Sequence, residues 1–297
     1  MGLYKGGNLK NLIVLPFLFI VFEAHSAEVT LYAINSPKRL DWSTPRSLLT
    51  STIKSYARLG NGTGSRHKIG HAYLGFKCDG QEEIISGMTS GPGFGAKQSL
   101  FQEKVGLSVI LTDNPGAFQG HGESSKDVND FVDSWRMNAL KLKISNEKCL
   151  KLQEWYTEYS SQEKFIYGGV DKRPLKGEGA GCTAYAMSYF EYADIDFDFF
   201  NNKFLRTVFL PRELVGGEIG DKREVPLKTI LKNKTNLSLE NVESLRVDLY
   251  DPNDMYYWIQ EQWLEYQRRG QTKDLSSYNV EISLLKKMKI ISLSPKE

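Results

Sequence analysis

Residues 68–88, KIGHAYLGFKCDGQEEIISGM, carry two strand-forming runs on either side of Asp79-Gly80, the pattern of a β-hairpin. The first run, 68–77, is a strand with His71 inside it, and the second, 82–88, returns beside it. Working outward, EVTLYAI (28–34), LSVILT (107–112) and NALKLKI (138–144) read as further strands, so the core is a run of antiparallel strands. Helical spacing appears elsewhere. Thr44 and Pro45 open a helix whose apolar positions are Leu48, Leu49, Ile53, Tyr56 and Leu59. Ser145 caps a helix from about 146 to 161 that carries Cys149, Leu152, Tyr156 and Tyr159, another starts at about Cys182, and an aromatic-rich one runs from about Asp254 to Arg269. The fold class expected is α+β, an antiparallel sheet packed against helices.

Composition limits the function classes. The 297 residues are 40% hydrophobic and 25% charged, in the range of ordinary globular chains. With 38 Lys+Arg against 36 Asp+Glu and no basic cluster in the sequence, nucleic acid is not the expected partner. Residues 1–27 read as a secretory signal peptide: Lys5 and Lys10, the apolar run LIVLPFLFIVF (12–22), then small residues at 24, 26 and 27. The run is too short for a membrane-spanning helix, which needs about 20 residues. The mature protein is expected to be exported, periplasmic or extracellular, without stable membrane insertion. In an oxidising compartment three cysteines leave at least one thiol without an intramolecular partner.

Cys182 has flanks unlike those of Cys78 and Cys149. In GEGAGCTAYAMSYFE (177–191) it opens a helix behind a run of glycines, where free N–H groups and the helix dipole favour a thiolate and can stabilise an oxyanion. The bland alternative is a small buried residue at a helix start. A thiol nucleophile needs a base, and the histidines are His25, His67, His71 and His121. His25 leaves with the signal peptide, His67 stands at a loop edge and His121 lies in a flexible stretch, GAFQGHGESS. His71, held in a strand, is the best-placed base. His67 and His71 are four apart, but in a strand that spacing separates them by about 13 Å, so no metal site is expected, and no cofactor is required.

These residues resemble the papain-like superfamily that includes the NlpC-type cell-wall endopeptidases. FIYGG (165–169) followed by GCTAYAMSYFE (181–191) is similar to that family's aromatic-X-aromatic-Gly-Gly run before a catalytic Cys. Because His precedes Cys, the order resembles the circularly permuted branch, which also contains lecithin:retinol acyltransferase-like proteins. The resemblance covers about 68–195 and implies a permuted NlpC-like domain at 28–220, followed by a C-terminal extension at 221–297. It implies Cys182 as nucleophile, His71 as general base and the Cys182 N–H as part of an oxyanion hole. It places Tyr167 beside the substrate, with Tyr73 as a second substrate contact, and suggests Glu83 to orient His71. A tight turn at Asp79-Gly80 would instead bring Ser86 to the His71 face. GC stands where the family has Asp-Cys, and the insert VDKRPLKGEGAG (170–181) lengthens the approach to Cys182. With Cys182 free, Cys78 and Cys149 form the natural disulfide.

The implied activity is that of a cysteine peptidase or amidase acting on peptide bonds of peptidoglycan. Two alternatives stand beside it: an acyltransferase or lipid (thio)esterase using the same dyad, and a catalytically silent secreted binding module. Tyr256, Tyr257, Trp258, Trp263 and Tyr266 could form a carbohydrate platform, although aromatic residues at helical spacing are usually core. NGT (61–63), NKT (233–235) and NLS (236–238) match the glycosylation acceptor pattern, which matters only in a eukaryotic secretory pathway.

Overall fold

The hairpin forms. In the computed structural model, which describes residues 27–58, 62–64, 66–92, 103–168, 170, 173–221 and 223–296, its strands are β2 (His71–Lys77) and β3 (Ile84–Ser90). Leu74, Gly75 and Phe76 pair with Ser86, Ile85 and Ile84, and Gly80 turns the chain at φ +73°, a conformation open to glycine without strain. Strand β1 (Ala27–Ile34) pairs with β2 along its whole length and on its other edge with β5 (Met137–Ile144). The remaining strands are β4 (Asp113–Gln119), β6 (Ile166–Gly168), β7 (Leu205–Pro211), β8 (Ser244–Tyr250), β9 (Tyr278–Leu285) and β10 (Met288–Pro295). They build one sheet in the order β6-β4-β3-β2-β1-β5-β10-β9, antiparallel except where β10 runs parallel to β5, and a separate β7-β8 pair.

The helices are α1 (Pro45–Ala57), α2 (His121–Phe131), α3 (Asn146–Ser160), α4 (Cys182–Tyr192), α5 (Phe197–Phe204), α6 (Leu227–Lys232) and α7 (Pro252–Arg269). Local chemistry sets several of their starts. The Thr44 and Ser145 hydroxyls accept the N–H groups of Ser47 and Lys148, and Asp251 caps α7 ahead of Pro252. Helices α3, α4 and α7 cover one face of the sheet, burying Val29, Leu31, Ala72, Leu74 and Phe76 against Leu152, Trp155, Tyr185 and Ile259. Helix α2 covers the other face, where Val128 and Phe131 pack with Tyr32, Ile34 and Tyr73. A second core joins Leu48 and Leu49 of α1 to Val208, Leu210 and Val247 of β7-β8.

Three expectations are corrected. Residues 107–110 form a 3-10 turn, and Leu107 is buried in the second core; the strand lies instead at 113–119, where Pro115 needs no N–H partner. The stretch after Gly120 is helix α2, held by the burial of Val128 and Phe131. Part of the C-terminal segment belongs to the central sheet: β10 lies beside β5, with Ile291 and Leu293 buried. Tyr256 of α7 is buried and Tyr257, Trp258 and Trp263 pack against the same core, so these aromatics serve as core. Cys78, just beyond β2, is disulfide-bonded to Cys149 of α3 with the Cα atoms 5.5 Å apart.

Residues 1–26 of the expected signal peptide at 1–27, Asn61 of the first acceptor triplet and Gly169 of the aromatic motif lie outside the described residues. Among those described, no helix is long and apolar enough to cross a membrane.

Candidate active site

Cys182 is the first residue of α4, and Gly181 before it caps the helix without a side chain that competes for the free N–H groups. The thiol is the free one and is 7% exposed. Its sulfur faces the Tyr167 hydroxyl and the backbone N–H groups of Ala72, Thr183 and Cys182 itself. Burial nevertheless pushes the thiol pKa up, outweighing those four donors. The thiolate expected from the helix start is therefore not the resting form, because desolvation of the sulfur exceeds what the N-terminus returns.

The Ala72 donor has a topological origin. Strand β3 pairs with β2 only as far as Leu74 and then turns to β4, so the edge of β2 at residues 71–73 is unpaired on that side. The Ala72 N–H belongs to the peptide unit that starts at His71, so the sulfur lies one peptide away from the His71 Cα. Strand alternation sends Ala72 and Leu74 toward α4 and His71 and Tyr73 toward α2. The thiol thus lies on the α4 side of the strand and the imidazole on its α2 side.

His71 is placed by Gly70, whose φ is +89° and where a side chain would run into Pro252 and the Ile34 carbonyl. The imidazole is buried, stacks on His67 with ring centroids 4.3 Å apart, and meets Tyr73 edge-on at 4.4 Å. Its Nε2 has no hydrogen-bond partner, and among the described residues no hydrogen bond joins it to Cys182. Burial, helped by the charge of His67, holds its pKa well below the ordinary histidine value against the opposing pull of Asp127 and Gln119. The imidazole is neutral.

The group that organises this side is Asp127 of α2. Its carboxylate accepts from His67 Nε2 and from the Tyr73 hydroxyl at 2.6 Å, and pairs with Arg66, whose other arm reaches Asp130 at 3.0 Å. Burial opposes the charge on Asp127, but the hydrogen bonds from His67 and Tyr73 and the charges of His67 and Arg66 win and hold its pKa at about 2. His67 adopts φ +50°, a left-handed conformation costly for a non-glycine residue, and the carboxylate and the stacked ring hold it there. Gln119, half-buried, carries a buried and unpartnered Oε1 next to Gly87, where only the missing Cβ leaves room for the Tyr73 ring.

The expected site residues therefore divide. Tyr167 meets Cys182, and Cys78 and Cys149 are joined. Glu83 does not reach His71: its carboxylate accepts the Tyr32 hydroxyl at 2.9 Å. Ser86 hydrogen-bonds Tyr185 on the α4 side at 2.8 Å, away from the imidazole. Tyr73 is fully buried and gives its hydroxyl to Asp127, so it supports the site from beneath and does not line it. Asp127 and Gln119 escaped the sequence reading, and His67, set aside there as a loop-edge residue about 13 Å from His71, instead stacks on it because residue 67 precedes the strand. The signal available for Asp127 was the helical spacing of Val128, Phe131 and Val132 after Gly120. No cluster of potential metal ligands occurs among the described residues. Comparison with protein-family models, with curated proteins and with solved structures finds no match to the chain.

Proposed function

We propose that the protein is an exported cysteine hydrolase that cleaves amide bonds of peptide substrates, those of bacterial peptidoglycan in the first place. The observation that carries this reading is the free thiol at the start of α4 beside the Ala72 N–H, next in the strand to His71, whose imidazole is neutral and has an unpartnered Nε2. His71 takes the thiol proton and the thiolate attacks the amide carbonyl, while the Cys182 N–H receives the developing oxyanion. The C–N bond breaks as His71 returns the proton to the leaving amine, and a thioester remains on Cys182. Water, deprotonated by His71, then releases the acid and restores the thiol. No cofactor enters. The test is incubation with peptidoglycan sacculi and with soluble muropeptides, scoring new amino groups. The proposal expects release by wild type and none by Cys182→Ala; equal release by both removes it.

One observation favours a second reading, a secreted binding module with this fold: the thiol is buried and makes no hydrogen bond to His71. That reading expects Cys182→Ala to leave peptidoglycan or peptide binding unchanged, with no turnover by either protein.

A further inference from the structure

A chain of formal charge +2 concentrates cations along one side of α1. A cleft of about 890 Å³ there is lined by Lys38, Arg39, Arg46, Lys54 and Arg206, with Asp41 as the one carboxylate in the lining. Asp41 is engaged by hydrogen bonds from Ser43, and Arg39 and Arg206 share Asp254, at 3.3 and 2.8 Å. Arg46 and Lys54 have no acidic partner among the described residues, and the first turn of α1 carries no acidic residue to offset its dipole. Both are exposed.

Spacing adds a second constraint. Arg46, Thr50 and Lys54 recur every four residues, a single stripe along α1 about 12 Å long. A ligand using both ends therefore carries two negative groups about that far apart, the span of roughly four residues of extended peptide. The same cleft also exposes half-buried Leu40 and Trp42, apolar surface that a chain of phosphates would leave unused.

We propose that this cleft is a binding site for an acidic peptide in extended conformation, with carboxylates at positions i and i+4 held by Arg46 and Lys54 and the intervening side chains on Leu40 and Trp42. It is a site separate from Cys182 and does not depend on the reading of that residue.

The experiment is fluorescence anisotropy of a labelled hexapeptide with glutamates at its first and fifth positions, titrated with the full folded protein. The glutamine version of the peptide, Arg46→Glu/Lys54→Glu and a charge reversal on another surface, Lys286→Glu, serve as comparisons, with circular dichroism to show that each variant is folded. The proposal expects saturable binding, weakened at least tenfold by the double reversal and by the glutamine peptide but unchanged by Lys286→Glu. Equal weakening by Lys286→Glu, or equal binding of the two peptides, overturns it. Tighter binding of tripolyphosphate than of the glutamate peptide also overturns it, by giving the cleft to a phosphate chain.

Discussion

Asp127 shows how one carboxylate arranges a site that no local motif announces. Its pKa of about 2 in the folded chain, against about 3.9 when unfolded, means that its stabilising contribution is complete above about pH 4 and is lost as pH falls through 2. That difference corresponds to about 2–3 kcal/mol. Urea denaturation of Asp127→Asn should show a loss of that order near pH 6, with the gap to wild type narrowed by more than half at pH 2.5. His71 works in the opposite range. Because its folded pKa lies below the unfolded value of about 6.5, the unfolded chain binds the extra proton as pH drops, and stability declines below that value by up to about 1.4 kcal/mol per pH unit. His71→Gln should flatten this decline between pH 7.5 and 5 in the same denaturation assay; an unchanged slope would mean that the imidazole is not buried in its neutral form. The Cys182 helix start and the His71 strand were legible in sequence because glycine runs and apolar spacing are local signals. The pairing of His67 with Asp127 was not, since it joins residues 60 apart across a helix whose inward positions include polar Ser124 and Asp127.

At the level of elements, the histidine strand is fixed from both ends. Gly70 lets it enter beneath Pro252, and the Cys78–Cys149 disulfide ties its exit to α3. Closing a loop of 71 residues removes chain entropy from the unfolded state worth about 4 kcal/mol in the loop-closure model. The Cys78→Ser/Cys149→Ser protein should therefore melt well below wild type, by roughly 10 °C or more for a chain of this length, and reductant should lower the wild-type melting point toward it. The parting of β3 from β2 after Ser86 is the element-scale event that makes the site, because it leaves the Ala72 N–H for the sulfur. Sequence identified the hairpin but not where its pairing stops. The family resemblance suggests Glu83 on the strand after the turn, yet its carboxylate is taken by the Tyr32 hydroxyl.

For the molecule as a whole, the sheet is completed from far along the chain. Strand β10 returns after about 150 residues to lie parallel to β5, and such distant pairing leaves no periodicity in the sequence by which to foresee it. Ile291 and Leu293 are buried there, and α7 packs across β1, β5 and β10. A chain ending at Arg269 should expose the apolar edge of β5 and aggregate or unfold, as read by size-exclusion chromatography and circular dichroism; a monomer with wild-type melting would show that the C-terminal strands are dispensable.

The central claim is that Cys182 and His71 act together although each is at rest neutral and buried. The direct measurement is intact-mass spectrometry after incubation with a peptidyl vinyl sulfone at pH 7, comparing wild type with folded His71→Ala and Cys182→Ser. The account predicts a single adduct located on Cys182, formed at least tenfold more slowly in His71→Ala and not at all in Cys182→Ser. No adduct on folded wild type, or an equal rate without the imidazole, would contradict it.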